Sequence, residues 1–224
     1  VRVIRLSAVP HQMLYDKGSI AVQAGKPFEI VLENNDLMPH NLVVGQPGSQ
    51  EEIGHAAEAM ATGPGALEKN YVPASKKVIA SLRLLQPRES DKVAMTAPEK
   101  PGVYPYVCTF PGHWRRMFGA LYVVADLEKY LANPSGYLEA NPLPIDDDLL
   151  KLRRPRKEWK LEELAASLDE LKHGRSFGNG KQMFQVASCI ACHRVDGTGV
   201  ELGPDLAQLD PKLTPAEILR DIVE

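Results

Sequence analysis

Residues 2–9 alternate apolar and polar side chains, the period-two pattern of a strand with one face buried. The pattern returns at residues 20–22 and 28–33, on either side of Ala24-Gly25-Lys26-Pro27, which reads as a turn. Asn34-Asn35-Asp36 closes that strand and leads to His40, and Asn41-Leu42-Val43-Val44 opens the next. Residues 77–85, 92–96, 102–108 and 119–125 complete the set. About eight short strands with Gly and Pro turns predict a mainly β Greek-key sandwich.

Helical spacing interrupts this pattern once, at residues 49–60. Ser49 and Glu52 have the spacing of a capping box, and Ile53, Ala56, Ala57 and Met60 fall on one face. His55 in this helix is assigned to solvent or core. Past residue 125 the character changes. Residues 126–157 contain Pro134, Pro142, Pro144 and Pro155, the acidic run 146–148 and a basic run at 151–157. They read as a linker with a short helix at 127–131, free or wrapped on the first domain. Residues 159–172 then place Leu161, Leu164, Leu168 and Leu171 on one stripe of a helix ended by His173-Gly174. Gly180-Lys181-Gln182-Met183-Phe184 starts a second helix. Thr214-Pro215-Ala216-Glu217 caps a third, with Ile218, Leu219 and Ile222 as its apolar face. The expected division is 1–125, 126–157 and 158–224, with the last domain small and all-α.

The chain has 224 residues and a net charge of −3, enough for two domains. Near-balanced charge argues against nucleic acid as the main partner. No apolar run reaches the ~20 residues of a membrane span. The first residue is Val1, not Met, so the chain reads as a processed or excised piece. Oligomeric state is not legible. Three cysteines occur, Cys108, Cys189 and Cys192. Each lies in a chemical motif, so no disulfide is expected.

Residues 108–117 read Cys-Thr-Phe-Pro-Gly-His-Trp-Arg-Arg-Met, a C-x4-H-x3-M spacing. Thiolate, imidazole and thioether are the donors that suit an electron-transfer copper site, which needs a second imidazole. His40, far upstream, is the candidate. A core thiol, a packing Met and a surface His would each be ordinary alone, but their coincidence is not.

This stretch resembles the cupredoxin (blue copper) family, and within it most resembles azurin. The Cys-Thr-Phe-Pro-Gly-His run, the His40-Asn41 pair, Met60-Ala61-Thr62-Gly63 and Val78-Ile79-Ala80 carry the likeness over about residues 1–125. The resemblance implies type 1 copper held by His40, Cys108 and His113 with Met117 as a weak axial ligand. It also implies that Asn41 ties the copper loops together, with an ordinary turn residue the equal alternative. Pro39 stands where azurins usually have Gly, so its carbonyl is a further candidate donor. The disulfide usual in azurins cannot form here. Pro111 has no N–H to give the Cys108 sulfur. His113 is expected near the surface. Met13, Met38, Pro39, Pro111 and Trp114 would form around it an apolar patch for redox protein partners, with Arg115 and Arg116 alongside; Met13 and Trp114 as plain core is the alternative.

Cys189-Ile190-Ala191-Cys192-His193 is the attachment sequence of c-type haem. Both thiols reach one porphyrin, and the adjacent His becomes an axial ligand of the iron. Zinc would want a second ligand pair. The flanks resemble a class I cytochrome c: Gly180 and Phe184 match its helix-crossing positions, and Pro204 would supply a carbonyl to His193. Such a domain usually supplies a Met beyond this point, yet none follows Met183. His173 is a weak substitute. A domain incomplete at its C-terminus is therefore expected.

The combined reading is bacterial periplasmic, or otherwise extracytoplasmic, electron transfer through copper and haem c. Nothing in the sequence marks a substrate-activating constellation. The rival is the electron-transfer portion of a larger oxidoreductase, dehydrogenase or nitrite-reductase-like; a copper-storage module is a third.

Overall fold

The computed structural model describes residues 1–61, 63–145, 159–187, 189–199 and 203–223. Two compact units emerge, Val1–Lys151 and Leu152–Glu224. The expected acidic and basic runs of residues 146–157 lie outside the described residues.

The first unit is a two-sheet β structure. One sheet has the order β2-β1-β4-β7, from β1 (Arg2–Val9), β2 (Leu14–Tyr15), β4 (Pro27–Glu33) and β7 (Ser90–Thr96). The other has the order β3-β9-β8-β5-β6, from β3 (Ser19–Gln23), β5 (His40–Gly45), β6 (Val78–Leu85), β8 (Gly102–Val107) and β9 (Phe118–Val124). β1 runs parallel to β4 and β3 parallel to β9; the remaining pairs are antiparallel. The period-two pattern is realised in β1 and β4, where Ile4, Leu6, Phe28, Ile30 and Leu32 point into the core. β2 escapes the sequence reading because two residues carry no period.

β5, β8 and β9 are buried on both faces, which alternation cannot describe. Their outer face is covered twice. Helix α1 (Gln50–Met60) brings Ile53 onto Val43, Val107, Trp114 and Phe118. Helices α2 (Leu127–Ala132) and α3 (Pro134–Ala140) bring Tyr130 and Tyr137 onto Ala21, Ala120, Tyr122 and Val124. Residues 126–145 are thus a second wall of the β unit and not a free tether. Asp126 and Asn133 cap the two helices by accepting the N–H groups of Lys129 and Gly136.

The capping box expected at Ser49 does not form. The Ser49 hydroxyl donates instead to the Gln46 carbonyl at 2.6 Å. Its φ of −96° and ψ of 5° leave the extended backbone from which an N-cap side chain reaches the first turn.

In the second unit, α4 (Leu161–Ala165) stops early and a 3-10 segment, Leu168–Lys172, follows. The expected continuous helix is broken at Ser167, whose N–H goes to Leu164 and whose carbonyl takes the Glu170 N–H, both three residues away. The leucine spacing is kept, but Leu171 is 47% exposed. α5 (Phe177–Val186) begins earlier than expected because Ser176 accepts the Asn179 N–H. A minimal hairpin, β10 (Arg194–Val195) with β11 (Thr198–Gly199), follows the Cys pair. α6 (Pro215–Val223) carries the expected capping box: Thr214 N–H donates to Glu217 at 2.7 Å and Glu217 N–H returns to Thr214 at 3.3 Å.

Candidate metal and haem sites

β5 begins at His40 and β8 ends one residue before Cys108, and these strands are hydrogen-bonded neighbours. Adjacent strands therefore deliver an imidazole and a thiol to one end of the sandwich. The chain after Cys108 turns back through Gly112, whose φ is +79°, the left-handed region that glycine enters without a Cβ penalty. The loop is laced by His113 N–H to Phe110, Met117 N–H to His113 and Cys108 N–H to Met117. His113 and Met117 are thereby returned to the Cys108 end.

Nδ1 of His40 lies 3.2 Å from Nδ1 of His113. The Cys108 sulfur is 3.8 Å from the first and 3.5 Å from the second. All three ligand atoms lie within 4.8 Å of one another, and all three residues are buried. Met117 is buried in the same core cluster as Cys108. Soft sulfur and two imidazole nitrogens converging in a dry pocket fit a copper ion. Burial keeps the metal-free donors uncharged: it pushes the Cys108 thiol up to about 12, against hydrogen bonds from the Asn41 and Phe110 backbone, so a metal has to displace the thiol proton to bind. It pushes His113 down to about 3, leaving a neutral imidazole with a lone pair for a metal. Pro39 immediately precedes β5, half-buried.

Asn41 ties the pocket together. Its Oδ1 accepts the Thr109 N–H at 2.7 Å, and its Nδ2 donates to Thr109 Oγ1 and to the Asn70 carbonyl. The loop-holding alternative holds for Asn41, not the turn-residue one.

Asp36 is the partner the sequence reading missed. Its Oδ2 is 3.0 Å from His40 Nε2. The Asn34-Asn35-Asp36 cluster looked like an ordinary strand-ending turn; the only available signal was the i,i+4 spacing to His40.

Two expectations fail. His113 is only 2% exposed, not a surface residue, with the Phe110 ring edge-on at 4.9 Å. Trp114 is 1% exposed and packs in the cluster beneath α1, so it is core and not patch. Gly54 makes room for it: a Cβ there would overlap the indole. Pro111 is buried as well, while Met13, Met38 and Pro39 are half-buried and Leu37 is 72% exposed. Arg115 stacks over Trp114 at 4.2 Å and pairs with Glu58. His55 is exposed beside Glu58.

In the second unit, Cys189 to Ala191 form a 3-10 turn after α5, and both thiols of the motif are free. His193 Nδ1 stands 3.0 Å from the Pro204 carbonyl. Donating there fixes the proton on Nδ1 and leaves Nε2 free as a ligand. Gly203 allows this, since a Cβ would sit 2.7 Å from His193 Cε1. The unit leaves Phe177 71%, Met183 53% and Ile222 75% exposed. Apolar surface on that scale fits a chain built around a large flat apolar group. His173 is exposed at the end of the 3-10 segment.

Residues 3–124 match the family described as copper binding proteins, plastocyanin/azurin family, and residues 177–222 match cytochrome c. Auracyanin-A of Chloroflexus aurantiacus is 34% identical over 122 residues, covering 54% of this chain and 73% of its own. The azurin of Alcaligenes faecalis is 31% identical over 118 residues, covering 49% of this chain and 88% of its own. Among solved structures, the auracyanin A of Chloroflexus aurantiacus, a "blue" copper protein, superposes with a TM-score of 0.49 and 33% identity over 55% of this chain and 98% of that one.

Proposed function

The chain belongs to the plastocyanin/azurin family of copper-binding proteins and carries a cytochrome c segment behind it, and from that premise we propose a periplasmic electron carrier with two centres in one polypeptide. Its cofactors are copper and haem c, and its activity is electron transfer. When bound, they supply one-electron couples, Cu(II)/Cu(I) and Fe(III)/Fe(II).

His40, Cys108 and His113 hold a type 1 copper in this reading, with Met117 as the weak axial donor and the Pro39 carbonyl as a further candidate. The convergence of one sulfur and two Nδ1 atoms in a buried pocket carries it. The β5 and β8 ends fix the ligands before metal arrives, so little rearrangement accompanies a change of charge. Cys189 and Cys192 anchor the haem covalently, His193 ligates its iron, and Pro204 orients that imidazole. The domains read as 1–125, a connecting stretch 126–157 and 158–224. Electrons pass between the two centres and on to redox protein partners. Those partners meet the copper end at the loops around His40, where Leu37 is exposed and Met13, Met38 and Pro39 are half-covered. No described helix is long and apolar enough to cross a membrane.

The test is the visible spectrum of the purified protein, oxidised and then reduced. The expected result is a strong thiolate-to-copper band that bleaches on reduction beside a haem Soret band. Haem bands without copper colour, even after copper is added, sink the type 1 assignment. A second reading is the electron-transfer portion of a multi-domain dehydrogenase or nitrite-reductase-like oxidoreductase. Steady-state turnover of nitrite or an organic donor by the native protein decides for it.

A further inference from the structure

We propose that Asp36 is a positioning residue for the copper couple, acting through His40 to hold the site toward its oxidised state. This rests on the assignment of His40 as a copper ligand.

The geometry of the carboxylate carries the inference. Asp36 Oδ1 accepts two backbone N–H groups, from His11 at 2.9 Å and from Leu37 at 2.8 Å. Oδ2 faces His40 Nε2 at 3.0 Å. Both oxygens are thus used as acceptors, the role of an ionised carboxylate. A proton on Nε2 of His40 completes the third bond and leaves the Nδ1 lone pair facing Cys108 and His113. The residue itself is held in place: its own N–H donates to Asn34 Oδ1, while Asn34 Nδ2 donates to the carbonyls of Met38 and Leu85. Asp36 is 3% exposed and His40 is fully buried, so solvent and salt screen this charge weakly.

A fixed negative charge hydrogen-bonded to a ligand imidazole makes that ligand more basic and favours the more positive metal state. On reduction one electron arrives from the redox partner, the positive charge of the centre falls by one, and no bond forms or breaks at Asp36. Removing the carboxylate charge therefore shifts the couple toward the reduced state.

The experiment is spectroelectrochemical titration of the copper band in the wild-type protein and in Asp36→Asn and Asp36→Glu. Asp36→Asn is expected to shift the Cu(II)/Cu(I) equilibrium at least tenfold toward Cu(I), a rise of about 59 mV for one electron. Asp36→Glu, which keeps the charge, is expected to shift it less than half as far on the logarithmic scale. An equal potential in wild type and Asp36→Asn overturns the proposal. A wild-type protein with no copper band overturns the copper assignment beneath it, a separate outcome. If Asp36→Asn does not fold, 15N spectra of the reduced wild-type protein decide. A slowly exchanging proton on His40 Nε2 supports the pair; a proton in free exchange with water overturns it.

Discussion

The Asn41 carboxamide oxygen accepts the Thr109 N–H at 2.7 Å, so the residue after one candidate ligand is bonded to the residue after another. The same side chain donates to Thr109 Oγ1 and to the Asn70 carbonyl, and Asn41 is fully buried. Truncation to alanine would leave the Thr109 N–H and Oγ1 without this partner, each orphaned buried group costing about 1–3 kcal/mol, and would also free the half-buried Asn70 carbonyl. Asn41→Ala is expected to lower the stability of the metal-free protein by about 3 kcal/mol. A urea titration reads this as a lower midpoint at unchanged slope. An unchanged midpoint means the loops hold each other without Asn41.

Copper removal is the second test. Two Nδ1 atoms 3.2 Å apart with a thiol beside them form a preformed donor set, present in the folded chain and scattered in the unfolded one. Ligand binding only to the folded state stabilises it by about 2.7 kcal/mol at a free concentration of 100 times Kd. For a unit of this size that is a rise in Tm of roughly 5–10 °C. Calorimetry with copper and with a chelator checks it. Coincident melting of the β unit in both conditions would mean that these residues bind no metal in the folded state.

The donor set was legible in the sequence because its chemistry is rare. Thiolate, imidazole and thioether at 108, 113 and 117 seldom fall together by chance, and the Cys-x-x-Cys-His run at 189–193 does so more seldom still. Strands were legible where one face is buried, as in β1 and β4, and their bounds blurred where both are, as in β5. What lies around the donors was not legible. Asp36 sits in a run of turn formers, and nothing local says that its carboxylate turns inward onto His40. The burial of Trp114 depends on α1 folding back over β5, a contact across sixty residues of chain that periodicity does not encode. The two capping boxes make the same point. Thr214 and Glu217 form theirs; Ser49 and Glu52 do not, because the Ser49 backbone is not extended and its hydroxyl is turned back to the Gln46 carbonyl.

Gly54 is the third test, and two effects compete there. In an exposed helix interior, alanine for glycine is worth about 1 kcal/mol in favour of the helix. Here the added methyl would overlap the Trp114 indole, which is 1% exposed and has no free direction in which to move. Overpacking of this kind costs about 1–3 kcal/mol or more, so the sign is destabilising. Gly54→Ala is expected to lose about 2 kcal/mol, and the added change Trp114→Leu to recover part of it by opening the space. A more stable Gly54→Ala protein by thermal melting would show that α1 is not seated on Trp114.

Gly203 makes the corresponding argument for the haem unit. Its Cα lies so near His193 that a Cβ would stand 2.7 Å from Cε1 and 2.9 Å from Nδ1. The ring keeps its orientation through the bond to the Pro204 carbonyl, the next residue along. A methyl at 203 forces the imidazole to rotate, and rotation breaks that bond and turns Nε2 away from its present direction. Loss of such a supporting bond typically weakens metal ligation by about 10–100-fold. In the proposed reading, covalent attachment runs through Cys189 and Cys192 and is separate from it. Gly203→Ala is therefore expected to retain haem through denaturing electrophoresis while its spectrum changes to that of a weakened axial ligand, and the iron is expected to take up imidazole from solution more readily. Cys189→Ala with Cys192→Ala is expected to lose the covalent haem altogether. A Gly203→Ala spectrum identical to wild type, with unchanged imidazole uptake, would show that His193 does not depend on its contact with Pro204.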